Sequence, residues 1–500
     1  MHDIPKLFAP PPPIYSSRRE FLTRVGGGFG MIGLAGLLAQ GAAHATPQAA
    51  WRGPDPSRPL AARGGHHPAK AKNIIWLFIN GGPSHVDTWD HKPELIRRDG
   101  QELAGFDRNT GFFRDQVGPI MRSPFRFRQH GQCGKYVSDI FPNLARHVDK
   151  MAFIHSCWTD SNNHSPALMK INTGFTRMGF PCAGSWVTYG LGSESQDLPA
   201  FVVMYDTLGR GLPKGYSQNW GAGFLPSIYQ GTALKPQGAP IDNLLRPGDL
   251  TDRQQRNQLD LLGRLNQRHA RSREAAGSGS AESSDFAARI ETFELAYRMQ
   301  MAAPEAIDIN RETVQTKALY GIDEPRCRHF AKQCLIARRL VERGVRCVQI
   351  YSGGEENERS WDGHTNIAAN HTGFAGETDQ PIAALLTDLE NRGLLDETLV
   401  VWGGEFGRLP LVQRGGTGRD HNPHAFTYWL AGGGVKAGYS HGATDEIGHR
   451  AAENRVSVHD LHATILHLIG LDHLRLTYRY QGRDFRLTDV HGEVVREVIA

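Results

Sequence analysis

A chain of 500 residues with 39% apolar and 22% charged side chains can bury a large core, and its net charge of +4 is too small to mark a nucleic-acid or acidic-surface binder. Length alone allows one large α/β domain or two to three smaller ones. The first element in chain order is "SSRREFLTRVGGGFGMIGLAGLLAQGAAHA", where Arg18 and Arg19 precede an apolar, glycine-rich run that ends on Ala43-His44-Ala45. It reads as a twin-arginine export signal over residues 1–45, removed after transport. The run is too short and too glycine-rich for a stable membrane span, which needs roughly 20 apolar residues. The expectation is therefore a periplasmic or extracellular protein with no membrane span once the signal is gone. Residues 46–71, rich in Pro and Gly, read as an exposed leader.

A folded domain is expected over 72–492, opening with "NIIWLFINGGPSHVDTWD". An almost wholly apolar run there gives way at once to Asn80, a Gly-Gly pair, Ser84, His85, Asp87 and Asp90. The run predicts a strand buried on both faces, and "KMAFIHSCWTD" predicts a second. Residues 235–305 carry helical patterns around 253–271 and 285–301 and read as a helical insertion. Two later stretches, "CRHFAKQCLIARRLVERGVRCVQIYSGG" and "DQPIAALLTDLENRGLLDETLVVWGGEFGR", each run from a helix through Gly344 or Gly393 into an apolar strand. Such units build a mostly parallel sheet with helices on both faces, a three-layer α/β/α architecture whose ligands bind beyond the carboxyl ends of the strands. Six cysteines show no CxxC or other metal-type spacing, and both free thiols and disulfides are compatible with them.

The polar clusters fall at those strand ends. Asn80, His85 and Asp87 follow the first strand and supply oxygen and imidazole donors suited to a divalent cation, a helix cap being the plain alternative. In "SCWTDSNNHSPALMKINTGF" a polar loop leads to a helix near Ser165, with Pro166 in its first turn, so Ser165 is either a helix cap or a nucleophile at a helix N-terminus. Asp362 and His364 sit two apart in "SWDGHTN", within reach of one cation. Glu405 and Arg408 leave the strand "TLVVWGG", and His421 follows in "GRDHNPH"; ion pairing competes with a site there. His459, His462 and His467 lie on a helix with an apolar stripe that Ser457 caps, and are read as structural.

The order of these pieces resembles the alkaline phosphatase and sulfatase superfamily, and within it an exported, sulfatase-like family of unassigned function. "IIWLFINGG" resembles the strand ending on a metal-binding Asp, "TLVVWGGEFG" the strand ending in Asp-His-Gly, and "HSPALMKINTG" the sulfatase signature Cys-x-Pro-Ser-Arg ending in Thr-Gly. Three departures stand out. Asn80 replaces the Asp, Glu405-Phe406 replaces Asp-His, and His164 replaces the cysteine from which formylglycine is made.

By resemblance Asp362, His364 and His421 are the other metal group. The resemblance implies a hydrolase of phosphate or sulfate esters without formylglycine. One or two divalent ions (Zn, Ca or Mn) would be held among Asn80, His85, Asp87, Asp362, His364, Glu405 and His421. Ser165 or His164 would be nucleophile or its positioner, and Arg408 the clamp on the anion. The implied substrate is an anionic ester, such as a sulfated or phosphorylated glycan. The alternative is a degenerate sulfatase-like protein that binds anionic glycans or an exported partner without cleaving anything.

Overall fold

The computed structural model describes residues 53–55, 58–235, 241, 248, 250–275 and 280–500, so the twin-arginine segment lies outside the described residues. At the centre of the fold is a nine-stranded sheet. Its strands are β1 (Asn73–Ile79), β2 (Met151–Trp158), β3 (Phe201–Met204), β4 (Thr232–Ala233), β5 (Cys347–Ser352), β6 (Thr398–Gly403), β7 (Phe426–Ala431), β8 (Ser440–His441) and β9 (Val456–Ser457). They lie in the order β8-β2-β7-β6-β1-β5-β3-β4, with β9 beside β2. β1 pairs in parallel with both β5 and β6. Only β7 runs against its neighbours, β2 and β6.

Every residue of β1, β5, β6 and β7 is buried, which is why these segments are mostly apolar rather than alternating. Helices α1 (His164–Thr173), α2 (Ala183–Leu191), α5 (Arg328–Val341), α6 (Ile367–Asn391) and α7 (Val458–Leu468) accompany the sheet. The insertion holds the long helices α3 (Asp252–Ala275) and α4 (Ser280–Ile307). One large apolar core takes residues from β1, β5 and β6 together with α5 and α6, including Ile75, Leu77, Val348, Leu335 and Leu386.

Local sequence explains the ends of several elements. Ser457 and Asp460 form a reciprocal capping box at the start of α7. On α7, His462 bonds the carbonyl of Ile171 and His459 that of Gly174, both at 2.8 Å, so these two histidines tie α7 to the end of α1. Residues 58–71 are bonded to the body of the protein: Ser193 N–H donates to Leu60 O, and the N–H groups of Lys70 and Ala71 donate to Leu468 O. No disulfide joins the described cysteines, and Cys133 alone among them is exposed. Among the described residues no helix is long and apolar enough to cross a membrane.

Candidate metal centre

The carboxyl ends of β1, β2, β5 and β6 converge, and each exit delivers one part of the site. From β2 the chain passes through Asn162 and Asn163 to His164, the first residue of α1, whose N-cap is Asn163, its side chain accepting from Ser165 N–H. β5 is followed by a loop ending on Asp362 and His364, and β6 by Glu405 and Arg408. The β1 exit is the Gly-Gly turn.

Gly81 and Gly82 sit at φ +103° and +72°, and a Cβ on Gly81 would come 2.7 Å from Asp362 N, so only glycine lets this turn approach the β5 loop. Gly81 N–H donates to Glu405 at 3.0 Å. The carbonyls of both glycines accept from Arg408.

Ligand atoms of His164, Asp362, His364 and His421 all lie within 4.8 Å of one another, so this buried group could hold a metal ion. His364 Nε2 is 2.8 Å and His421 Nε2 3.2 Å from the same oxygen, Asp362 Oδ1, and the two Nε2 atoms are 3.0 Å apart. The outer nitrogens settle which tautomers these are. His421 Nδ1 is 2.6 Å from Asn162 O, which can only accept. His364 Nδ1 is 2.6 Å from Gln413 Oε1, and the amide of that glutamine donates onward to Gln116.

Both Nδ1 atoms therefore carry a proton, and in the neutral imidazoles both Nε2 atoms would turn lone pairs toward each other and toward Asp362 Oδ1. Asp362 Oδ1 also accepts from Arg408; together with the two Nε2 atoms it forms a set that could hold a metal ion, and outer carbonyl partners that fix the imidazoles are the usual support of metal-bound histidines. A proton is a poor substitute on His421: burial first, then the neighbouring His164 and Arg408, hold its pKa well below the usual histidine range.

His164 differs. Its Nδ1 is 2.8 Å from Glu405 Oε1, while Nε2 lies 3.1 Å from Asp362 Oδ2 but too far out of line for a hydrogen bond. Burial disfavours its cation, yet the Asp362 and Glu405 carboxylates outweigh burial and raise its pKa to about 9. Asp362 in turn is held well below the carboxylate range: burial would raise it, and His164 and Arg408 overcome that. Phe406 is fully buried and packs its ring 4.5 Å from His421 and 4.9 Å from His164, drying this side of the cluster.

The remaining residues read from the sequence have other surroundings. Asn80 donates to Gly354 O at 2.5 Å, a bond an Asp could not make, and its carbonyl O accepts from Trp361 N–H; its Oδ1 is buried without a hydrogen bond. Asp87 is locked to Arg419, with Nε 2.6 Å from Oδ2, both side chains fully buried. His85 Nε2 bonds Gly448 O at 2.7 Å, and Asp90 pairs with Lys92 at 3.2 Å. Ser165 is half-buried on the first turn of α1, next to His164 and outside the group of four. Arg408 spends its donors on Gly81 O, Gly82 O, Arg419 O and Asp362 Oδ1, leaving one N–H for anything else.

Sequence reasoning missed Asn162 and Gln413, which aim the imidazoles; it met Asp420 beside His421 without a role, and that carboxylate accepts from the N–H of Phe113 at 2.7 Å.

Fold and centre together define a mixed α/β protein with a buried His/Asp group that could bind metal where its parallel strands end. The chain belongs to the family described as "Protein of unknown function (DUF1501)", which matches residues 71–499. None of the curated proteins compared with it matches. Solved structures similar to it include the lipoteichoic acid synthase LtaP from Listeria monocytogenes, at 10% identity and TM-score 0.30, covering 86% of this chain and 78% of that one. The PsFucS1 sulfatase from Pseudoalteromonas sp. shares 12% identity at TM-score 0.33, over 80% of this chain and 68% of that one. The phosphonate monoester hydrolase SpPMH from Silicibacter pomeroyi shares 11% identity at TM-score 0.31, over 81% and 73%.

Proposed function

We propose that this protein is an exported, metal-dependent hydrolase of phosphate or sulfate esters, a relative of the alkaline phosphatases and sulfatases that works without formylglycine. The observation that carries the reading is the meeting of His364 Nε2, His421 Nε2 and Asp362 Oδ1 with both outer imidazole protons already committed. Those three residues would hold the ion, with His164 Nε2 as the fourth donor. A divalent ion bound there would polarise the ester oxygen and lower the pKa of an attacking hydroxyl or water.

The chain's own residues do the rest. Glu405 keeps the Nδ1 proton of His164 and so turns Nε2 toward the cluster. Arg408 fixes Asp362 and both carbonyls of the Gly-Gly turn, which makes it a positioning residue with one N–H left to meet an anion. Phe406 excludes water from one side. Ser165, next to His164 on the first turn of α1, would be the attacking hydroxyl; if the Ser165→Ala variant keeps turnover, the attacking oxygen is water.

The near-complete use of Arg408 favours the second reading, binding of an anionic glycan or exported partner without cleavage. Turnover of aryl phosphate and aryl sulfate esters separates the two. Hydrolysis that collapses by at least about a hundredfold in Asp362→Ala and His421→Ala supports the enzyme, since removing a group that stabilises the reacting charge costs ~10²–10³ in rate. A folded, metal-loaded and inert wild-type protein leaves the binding reading.

A further inference from the structure

The four grouped residues are nearly closed off from solvent: side-chain exposure is 7% for His164, 1% for Asp362, 3% for His421 and 12% for His364. Against His364 and His421 lies a strap, residues 107–116, built of two 3-10 turns, Arg108–Thr110 and Arg114–Gln116. The strap is anchored to the site at two points. Asn162, whose carbonyl orients His421, donates through its side chain to the carbonyls of Asn109, Thr110 and Gly111, the last at 2.8 Å. From the other side Asp420 accepts from Phe113 N–H, and a Cβ on Gly111 would run into that carboxylate at 2.3 Å.

These anchors hold two aromatic rings over the imidazoles. Phe113 meets His364 edge-on at 5.1 Å, Phe112 lies 5.7 Å from His421, and the two rings make a T-shaped pair at 5.0 Å. Phe113 is half-buried, but Phe112 remains 47% exposed. An apolar ring fixed beside a buried polar centre and left about half exposed offers apolar surface to whatever binds there.

We propose that Phe112 is the residue against which the organic part of the substrate packs. The ester bound at the centre would then carry a flat apolar body, an aryl group or the face of a sugar ring, next to its anionic group. Small alkyl esters and inorganic anions would gain nothing from the strap. This rests on the proposed anion-binding role of the centre and adds the chemistry of the other half of the ligand.

The test compares two non-hydrolysable anions, phenylphosphonate and methylphosphonate, titrated calorimetrically into the wild-type protein carrying the metal it retains on purification, and into Phe112→Ala and Phe112→Tyr. The expected result is a preference of about tenfold for the phenyl compound in the wild type, the size of one aromatic contact plus partial burial of a ring. The preference should vanish in Phe112→Ala through loss of phenylphosphonate affinity alone and return in Phe112→Tyr. Because Phe112 is exposed, methylphosphonate affinity stays constant across the three proteins and reports an intact centre. A phenyl preference unchanged in Phe112→Ala, or no preference in the wild type, overturns the inference while leaving the centre's role standing. Failure of the wild type to bind either anion overturns the role of the centre, and the inference with it.

Discussion

Replacing Asp87 by Asn isolates the part of the first loop that serves the fold. Asp87 and Arg419 are both fully buried, with Arg419 Nε 2.6 Å from Oδ2 and Nη2 3.1 Å from Oδ1. Ser84 Oγ adds a third bond to the carboxylate at 2.5 Å. Burial alone would raise the Asp87 pKa, but Arg419 overcomes it and holds it below the ordinary value. Asn keeps the volume and one acceptor, yet leaves a guanidinium buried without a counter-charge. Removing one partner of such a pair costs about 3–5 kcal/mol. Arg419 retains the carbonyls of Leu409, Met121 and Arg122, which places Asp87→Asn near the lower end, about 3 kcal/mol. Arg419→Met strands the carboxylate with Ser84 as its one side-chain donor among the described residues, and belongs at the upper end.

The sign with pH follows from the depressed pKa: the contribution of Asp87 is complete above the ordinary carboxylate value of 3.8 and is lost as pH falls below it through the folded pKa. Urea unfolding of the two variants at neutral pH, with metal analysis of the folded fraction, is the assay. The expected outcome is a large drop in midpoint with wild-type metal stoichiometry. An Asp87→Asn protein as stable as the wild type but stripped of metal would refute the reasoning and return Asp87 to the ligand set.

Two further outcomes follow from the geometry of the centre. Gln413→Ala touches no ligand atom but frees the His364 ring, and should lower metal affinity by ~10–100-fold with the fold intact, read by competition with a chromogenic chelator. In chelator-treated protein, His164 contributes stability that is complete below its ordinary pKa of 6.5 and is lost as pH rises through about 9, because its folded pKa is raised. His164→Asn should abolish that alkaline loss, and a wild-type pH profile of unfolding in the variant would contradict the assignment.

β1, β5 and β6 could be read from the sequence because strands buried on both faces are dominated by apolar residues rather than alternating apolar with polar. The antiparallel sense of β7 was hidden: direction depends on the connection from β6 through 404–425, whose course is set by tertiary contacts. At the centre, Asp362, His364, Glu405 and His421 were drawn from donor residues crowding the exits of predicted strands, whereas His164, which the structure groups with Asp362, His364 and His421, was drawn from the resemblance as a nucleophile or its positioner rather than a ligand.

The destination of Asp87 was not legible, since its partner lies 332 residues away and an acid beside a glycine turn looks the same whether it binds metal or an arginine. Asn80 is similar. Its side chain supports the loop that presents Asp362, a task that needs an N–H donor and therefore an amide. The strap was missed because Phe112 and Phe113 sit in a stretch without periodicity, and only the pins from Asn162 and Asp420 bring them to the centre.

On the proposed reading His364, His421, Asp362 and His164 hold a metal ion. Elemental analysis of the purified protein beside the His364→Ala/His421→Ala double variant tests it most directly. About one divalent ion per chain in the wild type and none in a folded double variant is the predicted result; a wild type that stays metal-free after dialysis against divalent ions, or a double variant with undiminished stoichiometry, would contradict it.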